Sequence, residues 1–258
     1  MSLTRIFQIG MPQMAVGCLS ENWLLKELGS LHWDTLCNSL RCESNELIDS
    51  RGHRLYATFV RIRLELEGAL SKFREGDELR FDIEMQRFGR STLQSTITIT
   101  SSWATGIAIL LSTFSVRTDS RNSSLVKSEP VGEYRDMPSA LEAPMFLTEY
   151  SAIRAKHAKR NLQDITDRKS DSYPINPFTD SNGANLLYFA AYQSIADFLS
   201  LPEAADLHTR RRDIFYFRNS ELTDSICRYP LSSEECLLFR CSDGECIAFI
   251  STLKEPTR

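Results

Sequence analysis

The sequence predicts an α+β fold in which one chain carries two similar halves, each a helix followed by antiparallel strands. A helix signal near residue 20 reappears near residue 183, and alternating strand patterns follow both. The chain has 258 residues, 42% of them hydrophobic and 25% charged, so it is long enough for one large core or two smaller ones.

Charge and composition argue against several classes of function. The net charge of −4 is unlike that of a general polyanion binder, so we expect no nucleic acid partner. The longest apolar run, residues 107–111, is far shorter than the roughly 20 residues that span a membrane. The first residues lack a signal-peptide pattern, and seven cysteines without a disulfide framework fit a reducing compartment. We therefore expect a cytoplasmic protein with no membrane partner.

The first helix is predicted over residues 20–28. Ser20 is a suitable N-cap and Glu21 suits the first turn, while Gly29 is expected to end the helix as its C′ residue. Apolar residues at helical spacing form its buried stripe: Trp23, Leu24, Leu28 and Leu31.

The second helix is predicted over residues 183–199. Its residues are almost wholly apolar, so we expect it to be buried on most sides. When Asn22 is aligned with Asn185, the starts of the two predicted helices also align, which indicates an internal repeat.

Strand patterns follow both helices. Residues 78–85 and 93–99 alternate between apolar and polar side chains, and Gly89 lies between them where a hairpin turn needs it. Residues 108–116 are apolar enough to form a central strand. Further strands are predicted after the second helix, at residues 213–218, 223–229, 235–241 and 246–253.

A sheet packed around a helix satisfies this pattern in each half, and this arrangement is the hotdog fold. Two such units cover each other's sheet edge when they pair, so the sequence predicts a double hotdog. We expect an N-terminal half at residues 1–118 and a C-terminal half at residues 179–258. The segment 119–178 is predicted to be a structured connector with a short helix around residues 148–162.

Several motifs resemble a known family. They are GMPQMAVGCLSENWLLKELG at residues 10–29, His32-Trp33, RLYATF at residues 54–59 and FGRS at residues 88–91. This set is similar to the bifunctional acyltransferase/decarboxylase family of the leinamycin polyketide pathway. The resemblance implies a double hotdog fold and a homodimer. It also implies decarboxylation of methylmalonyl-CoA, with transfer of the propionyl group to an acyl carrier protein.

Tyr56 is the first catalytic candidate, because the resemblance places the family's essential tyrosine at this position. Strand alternation predicts that it shares a face with Thr58, Val60, Ile62 and Leu64 and points toward the helix. A phenol there can donate a hydrogen bond to a thioester or a proton to an enolate. The alternative is a core tyrosine whose hydroxyl bonds to the backbone.

The start of the first helix is the second candidate. The first amides of a helix are unpaired and carry partial positive charge, which suits a thioester oxygen that becomes an enolate. Ser20 and Glu21 are therefore predicted to contact substrate, and Asn22 is predicted to add a catalytic side-chain donor. An ordinary N-cap without a ligand remains the alternative.

His32 and Trp33 follow on the same stretch. His32 is a candidate acid or base near neutral pH, although a buried structural histidine is the commoner case. Trp33 is a candidate substrate contact.

In the second half, Asp180, Asn182 and Asn185 are candidate substrate-binding residues, because hotdog thioesterases and dehydratases carry polar catalytic groups at this position. The sequence DSNGANLLY at residues 180–188 is similar to the helix entry of hotdog thioesterases. Asp180 is equally suited to cap the helix, with Asn182 and Gly183 forming its entry turn.

Cysteines and charge runs give weaker signals. Cys236, Cys241 and Cys246 are spaced by five, which fits no zinc pattern, so we expect small apolar strand residues and no metal site. Basic clusters at residues 154–160 and 210–212 are typical of solvated faces, but they also suit the phosphates of coenzyme A or an acidic carrier protein.

The sequence therefore predicts an enzyme of polyketide-type biosynthesis that decarboxylates (methyl)malonyl-CoA and passes the acyl group to an acyl carrier protein. The first alternative is a hotdog acyl-CoA or acyl-ACP thioesterase or a dehydratase that uses Asp180 as its catalytic carboxylate, and the second is a non-catalytic module that binds a carrier protein. The motifs of dinucleotide, P-loop, serine-hydrolase and zincin sites are missing from the sequence. We expect no cofactor apart from the coenzyme A of the substrate.

Overall fold

A computed structural model describes residues 2–119, 121–134, 137–165, 171–200 and 207–256. It contains four α-helices within these ranges: α1 Glu21–Leu40, α2 Met145–His157, α3 Pro177–Asp180 and α4 Phe189–Phe198. The strands of the first half and the connector are β1 Ser2–Gln8, β2 Met14–Ala15, β3 Cys18–Leu19, β4 Leu55–Leu66, β5 Glu78–Phe88, β6 Thr92–Thr100, β7 Thr105–Arg117, β8 Leu125–Lys127 and β9 Ser172–Pro174. The strands of the second half are β10 Leu207–Tyr216, β11 Ser225–Pro230, β12 Glu235–Arg240 and β13 Cys246–Pro256.

One antiparallel sheet runs through both halves of the chain. Its strand order is β1-β5-β6-β7-β4-β10-β13-β12-β11-β9, with β8 added beside β7. The two halves join where β4 pairs with β10, in a register that sets Ile62 opposite Ile214. The joining strands come from opposite ends of the sequence, so the sheet edge of each half is covered by the other half.

The predicted strands form because their side chains alternate. In β5, residues Leu79, Phe81 and Ile83 are fully buried, while the residues between them face outward. The main core packs these strands against α1 and α4, and it includes Leu24, Leu28 and apolar residues of α4. This is the predicted α+β arrangement.

Helix α1 is longer than predicted. Ser20 is its N-cap as expected, since its side chain accepts a hydrogen bond from the Trp23 amide. Gly29, however, does not end the helix. The apolar stripe continues through fully buried Leu31 and Leu36, so burial carries the helix to its left-handed cap at Arg41.

Helix α4 starts later than predicted, at Phe189. The preceding residues form a turn because the Asn182 side chain accepts hydrogen bonds from the amides of Ala184 and Leu186, at 3.0 and 3.1 Å. Asn185 has a φ of 57°, which no helix tolerates in its interior. The prediction of a helix from residue 183 was therefore wrong in its first turn and a half.

The predicted face of Tyr56 is wrong. A β-bulge between Phe59 and Arg61 adds one residue to β4 and reverses the alternation there. Leu55 and Ala57 pack with the core residues of α1, as Ile62 does further along the strand beyond the bulge. Tyr56 therefore points to the sheet face that lies away from α1.

Helix α2 covers that second face. A connector helix was predicted around residues 148–162, and the observed helix both starts and ends earlier, at Met145 and His157. It packs near Arg61, which is buried between the rings of Phe146 and Phe215. Arg61 also donates to both carboxylate oxygens of Asp213, at 3.0 and 2.8 Å. A buried arginine needs such partners, because an unpaired charge there would be strongly destabilising.

Cysteine and membrane features complete the fold. Cys227 and Cys241 form a disulfide with a Cα–Cα distance of 6.0 Å, so the expectation of unpaired strand thiols is wrong for Cys241. Cys236 and Cys246 are free and buried, as expected of small apolar residues. None of the helices in the described ranges is long and apolar enough to cross a membrane.

Candidate functional site

A cleft of about 1160 Å³ opens at the junction of the two halves. The pairing of β4 with β10 ends at Arg61 and Phe215, and residues 56–60 of β4 have no partner on that side. This free edge lines the cleft together with residues 217–219, which follow β10. Side chains from both faces of β4 reach the cleft because it lies at the edge of the strand. Further parts of the walls come from the middle of α1 at Gly29, Ser30 and Trp33, the β5–β6 hairpin, the loop at residues 182–188, the segment 122–129 and helix α2.

Five tyrosines line the cleft, and they divide into two groups. Three donate their hydroxyls to backbone carbonyls: Tyr150 to Tyr216 O, Tyr192 to Arg218 O, and Tyr216 to Phe189 O, at 2.8 to 3.1 Å. Burial raises the pKa of all three phenols, so they remain protonated.

Tyr56 belongs to the other group. Within the described ranges its hydroxyl has no hydrogen-bond partner, and neither has that of Tyr188. The guanidinium groups of Arg54 and Arg117 lie 5.6 and 5.8 Å from the centre of the Tyr56 ring. Tyr56 is thus a phenol that is free to bond a ligand and is flanked by two cations.

Positive charge dominates the rim. Five cations line the cleft: Arg54, Arg90, Lys127, Arg154 and Arg218. Three of them, Arg54, Lys127 and Arg154, are exposed and form no ion pair with a described residue. Glu129 supplies the one carboxylate among the described lining residues, and it lies 3.4 Å from Arg90. On a chain of net charge −4, this local excess favours an anionic ligand.

Two asparagines hold the loop that precedes α4. Asn219 accepts from the Leu187 amide and donates to the Leu187 carbonyl, both at 3.1 Å. Asn122 donates to the carbonyls of Asn185 and Ser220 at 2.7 and 3.1 Å. These bonds satisfy backbone groups that a loop would otherwise leave to water, so they fix the wall of the cleft.

The start of α4 opens into the cleft. Tyr188 is its N-cap residue and gives no side-chain cap, and both Tyr188 and Phe189 line the cleft. The first amides of a helix lack intrahelical partners and carry partial positive charge. The Ala191 amide donates to Tyr188 O at 2.9 Å, which leaves the amides of Phe189 and Ala190 without a partner among the described residues for a ligand oxygen.

The structure brings three of the predicted site residues into this cleft: Tyr56, Trp33 and Asn182. Asn185 contributes to the same loop through its carbonyl, which Asn122 binds.

The start of α1 lies outside the cleft. Glu21 is buried in an ion pair with Arg212 at 2.7 Å, and Thr209 donates to its other oxygen. Asn22 donates to Ala190 O and to Ser194 Oγ, at 3.3 and 2.8 Å. Of the three residues predicted to hold the thioester, Ser20 caps α1, while Glu21 and Asn22 fasten the helix to the second half. Arg212 is 1% exposed, so the expectation of a solvated basic face is wrong at this position.

His32 is sealed in the core. It is fully buried, and its two ring nitrogens lie 2.8 Å from Ser95 Oγ and Ser112 Oγ. Burial lowers the pKa of His32 to about 3, so the ring is neutral at physiological pH. This environment matches the structural alternative for His32.

Asp180 is buried behind the loop. Its carboxylate accepts from the Tyr173 hydroxyl, the Asn176 amide and Thr179 Oγ1, at 2.8 to 3.0 Å. These bonds hold the short helix α3, and Asp180 does not line the cleft.

Sequence reasoning missed Asn122, Asn219 and the unpaired cations Arg54 and Lys127. Arg54 lies inside the RLYATF motif, so that motif offered a signal for it. The two asparagines lie in ordinary polar segments, and only the fold brings them to the loop before α4.

Three of the solved structures that match the whole chain are described as thioesterases. An acyl-ACP thioesterase from Bacteroides thetaiotaomicron has a TM-score of 0.65 and 13% identity, with 98% of each chain covered. The 12:0-ACP thioesterase from Umbellularia californica has a TM-score of 0.65 and 12% identity, with 99% of this chain and 98% of that chain covered. An oleoyl thioesterase from Lactobacillus plantarum has a TM-score of 0.68 and 9% identity, with 100% and 98% covered.

These similarities confirm the predicted double hotdog fold. At such low identities they establish the fold alone. No family model matches the chain, and no curated protein sequence is similar to it. Membership of the leinamycin-pathway family therefore stays a prediction from the sequence motifs.

Proposed function

We propose that this protein is an enzyme that binds acyl thioesters in the cleft between its two halves. The observation that carries the proposal is that the uncapped start of α4 and an unbonded phenol, Tyr56, line one cleft with a cationic rim. Each of these three features suits one part of an acyl thioester. The amides at the α4 start can donate hydrogen bonds to the thioester carbonyl. Tyr56 can supply a proton to the reacting carbon or oxygen, and the cationic rim can bind the phosphates of the thiol carrier.

The α4 start is proposed to hold the thioester oxygen. Negative charge builds on this oxygen both in hydrolysis and in decarboxylation, so fixed amides there lower either barrier. The sequence placed this role at α1, where Glu21 and Arg212 occupy the helix start. The physical argument is unchanged, but α4 is the helix whose start is open.

The cationic rim is proposed to bind the phosphates of coenzyme A or of a carrier-bound pantetheine. Arg54, Lys127 and Arg154 are the suitable residues, because they are exposed and have no ion-pair partner among the described residues. A charge-assisted bond to phosphate is roughly twice as strong as a neutral hydrogen bond.

Hydrolysis is the reaction that the similar structures favour, since those named above are thioesterases. Hydrolysis requires a base that activates water. Glu129 is the carboxylate of the described cleft that can serve, and Tyr56 would then bond the thioester or the leaving sulfur.

Decarboxylation with acyl transfer is the second candidate, and the surroundings of Tyr56 favour it. Two arginines beside one phenol suit a substrate with its own carboxylate, such as a malonyl thioester. The bond between the carboxylate and the α-carbon breaks, carbon dioxide leaves, and an enolate forms. Tyr56 protonates the α-carbon and becomes a phenolate, which takes the proton of the carrier-protein thiol. The resulting thiolate attacks the carbonyl, and the bond to sulfur breaks so that coenzyme A leaves as its thiolate. The first steps need no general base.

Two variants and two substrates separate these reactions. Purified protein is given propionyl-CoA or methylmalonyl-CoA, and free thiol and carbon dioxide are measured with and without an acyl carrier protein. A hydrolase releases thiol from both substrates, and Glu129→Gln lowers that rate about 100-fold or more. A decarboxylase releases carbon dioxide from methylmalonyl-CoA alone, tolerates Glu129→Gln and loses turnover in Tyr56→Phe.

Two other results would count against the proposal. Equal activity of Tyr56→Phe in both assays would remove Tyr56 from the mechanism. Tight binding of a carrier protein without turnover of any thioester would leave the non-catalytic module as the better description.

A further inference from the structure

A glycine in the middle of α1 marks the place where the two central helices meet. A Cβ atom on Gly29 would lie 2.4 Å from Cζ and 2.8 Å from Cε1 of Phe189. The ring of Phe189 therefore rests directly on the backbone of α1. Glycine inside a helix is less favourable than alanine by about 1 kcal/mol, so this position gives up helix stability to accommodate the ring.

Phe189 is the centre of an aromatic cluster on the cleft wall. Its ring centroid lies 4.5 Å from those of Phe59 and Tyr188, and the Phe59 ring lies 5.1 Å from that of His32. Phe59, Tyr188, Phe189 and Gly29 all line the cleft. The cluster thus forms an apolar surface next to the helix start proposed to hold the thioester oxygen.

The space behind this cluster, on the side of α1, is already filled. Phe59 and Phe189 pack into the main core, where Leu24, Leu25 and Leu28 of α1 are fully buried. Protein interiors are close-packed, so an acyl chain cannot pass the ring unless the ring moves. Replacing Phe189 with a small residue would open the groove over Gly29, where no Cβ stands in the way.

We infer that the ring of Phe189 sets the upper length of the acyl group and limits the protein to short-chain thioesters. This inference rests on the proposed function, because it names the substrate class of that same cleft. The acyl carbonyl lies at the α4 start, and the chain runs from there toward Gly29 until it meets the ring. Short acyl groups are therefore expected to end before the ring, and longer ones to require that the ring is displaced.

The test is a chain-length profile of the wild type, Phe189→Ala and Phe189→Leu. Thiol release is measured with acetyl-, butyryl-, octanoyl- and dodecanoyl-CoA. A chain longer than butyryl must displace the buried Phe189 ring, and uncovering apolar surface equal to roughly two methylenes, at about fourfold in kcat/KM each, costs more than about tenfold. The wild type is expected to show kcat/KM at least tenfold lower for octanoyl-CoA than for butyryl-CoA. Phe189→Ala is expected to reverse that order, and Phe189→Leu to lie between.

Controls keep the inference separate from the proposed function. Phe178→Ala removes a 97% exposed ring outside the cleft and is expected to keep the wild-type profile. If the wild type hydrolyses dodecanoyl-CoA as well as butyryl-CoA, or if both Phe189 variants keep its profile, the length limit is refuted while the proposed function stands. If no thioester is turned over, the proposed function fails. Binding of alkyl-CoA thioethers, measured by calorimetry, then decides the inference on the same chain-length order.

Discussion

The two central helices begin in opposite ways. At the start of α1, Ser20 caps the helix and Glu21 is locked to buried Arg212 at 2.7 Å. At the start of α4, Tyr188 provides no cap, and the cleft lies directly beside it. Each half contributes a helix to one shared core, yet only one of these two helix starts is open to a ligand.

The difference shows where a duplicated fold can keep a site. Helix amides bind a ligand only if no side chain or neighbouring element has already used or covered them. In the first half, Asn22 donates to Ala190 O and Ser194 Oγ, so the α1 start serves to join the halves. In the second half, Asn219 binds the backbone of Leu187 in the loop before α4 and does not bond to the first amides of the helix.

Breaking the closed start of α1 should have the largest effect. In Glu21→Ala, fully buried Arg212 keeps Asp197 at 2.7 Å but loses its other carboxylate. We expect the free energy of unfolding to fall by about 3–5 kcal/mol, as is usual when one partner of a buried pair is removed. Urea unfolding measures this change.

An exposed pair provides the matched control. Asp82 binds Arg80 at 2.7 Å on the surface of β5, and Asp82→Ala should change stability little because solvent screens the pair. A similar, small loss in both variants would mean that the α1 start is not held by its ion pair, and the contrast between the two helices would disappear.

Changing the contact between Gly29 of α1 and Phe189 of α4 should have the second-largest effect on stability. An exposed helix gains about 1 kcal/mol from a glycine-to-alanine change, but Gly29→Ala is expected to lose about 1–3 kcal/mol because its Cβ overlaps Phe189. In the Phe189→Ala background the same change should stabilise the protein. A double-mutant cycle by urea unfolding gives the coupling, and additive effects would contradict the close approach of the ring.

The smallest effect concerns His32 and depends on pH. Its pKa is lowered to about 3 by burial, whereas an unfolded histidine has a pKa of about 6.5. Below pH 6.5 the unfolded chain therefore binds a proton at His32 that the folded protein does not bind. As a result, the free energy of unfolding decreases as the pH falls from 6.5 toward 3. The slope approaches about 1.4 kcal/mol per pH unit.

Comparison with His32→Gln isolates this contribution, because all other titrating groups are common to both proteins. The stability advantage of the wild type should shrink by about 1 kcal/mol between pH 6.5 and pH 5.5, as measured by urea unfolding at each pH. A constant advantage would show that His32 takes up a proton in the folded state and is not sealed in the core.

Local patterns in the sequence predicted much of the fold. The alternation in β5 and β6 gave both strands and their turn at Gly89, and the Ser20 cap was identified from residue type alone. The end of α1 was misjudged because Gly29 has the usual signal of a helix terminus, while tertiary burial of Leu31 and Leu36 extends the helix. The bulge at residue 60 left no signal in the alternation, so Tyr56 was predicted on the wrong face of the sheet.

The site was predicted only in part, for a similar reason. Tyr56, Trp33 and Asn182 were found because they lie in recognisable motifs, and all three line the cleft. Asn122 and Asn219 were missed because their bonds join segments about 30 to 100 residues apart.

The sequence by itself determined which segments become helices and strands, since period, capping and turn chemistry act between neighbouring residues. Only the tertiary structure decided which helix start is closed and which is open. The Glu21–Arg212 pair spans 191 residues and the Arg61–Asp213 pair spans 152. Contacts over such distances depend on how the two halves dock, and no local pattern encodes that choice.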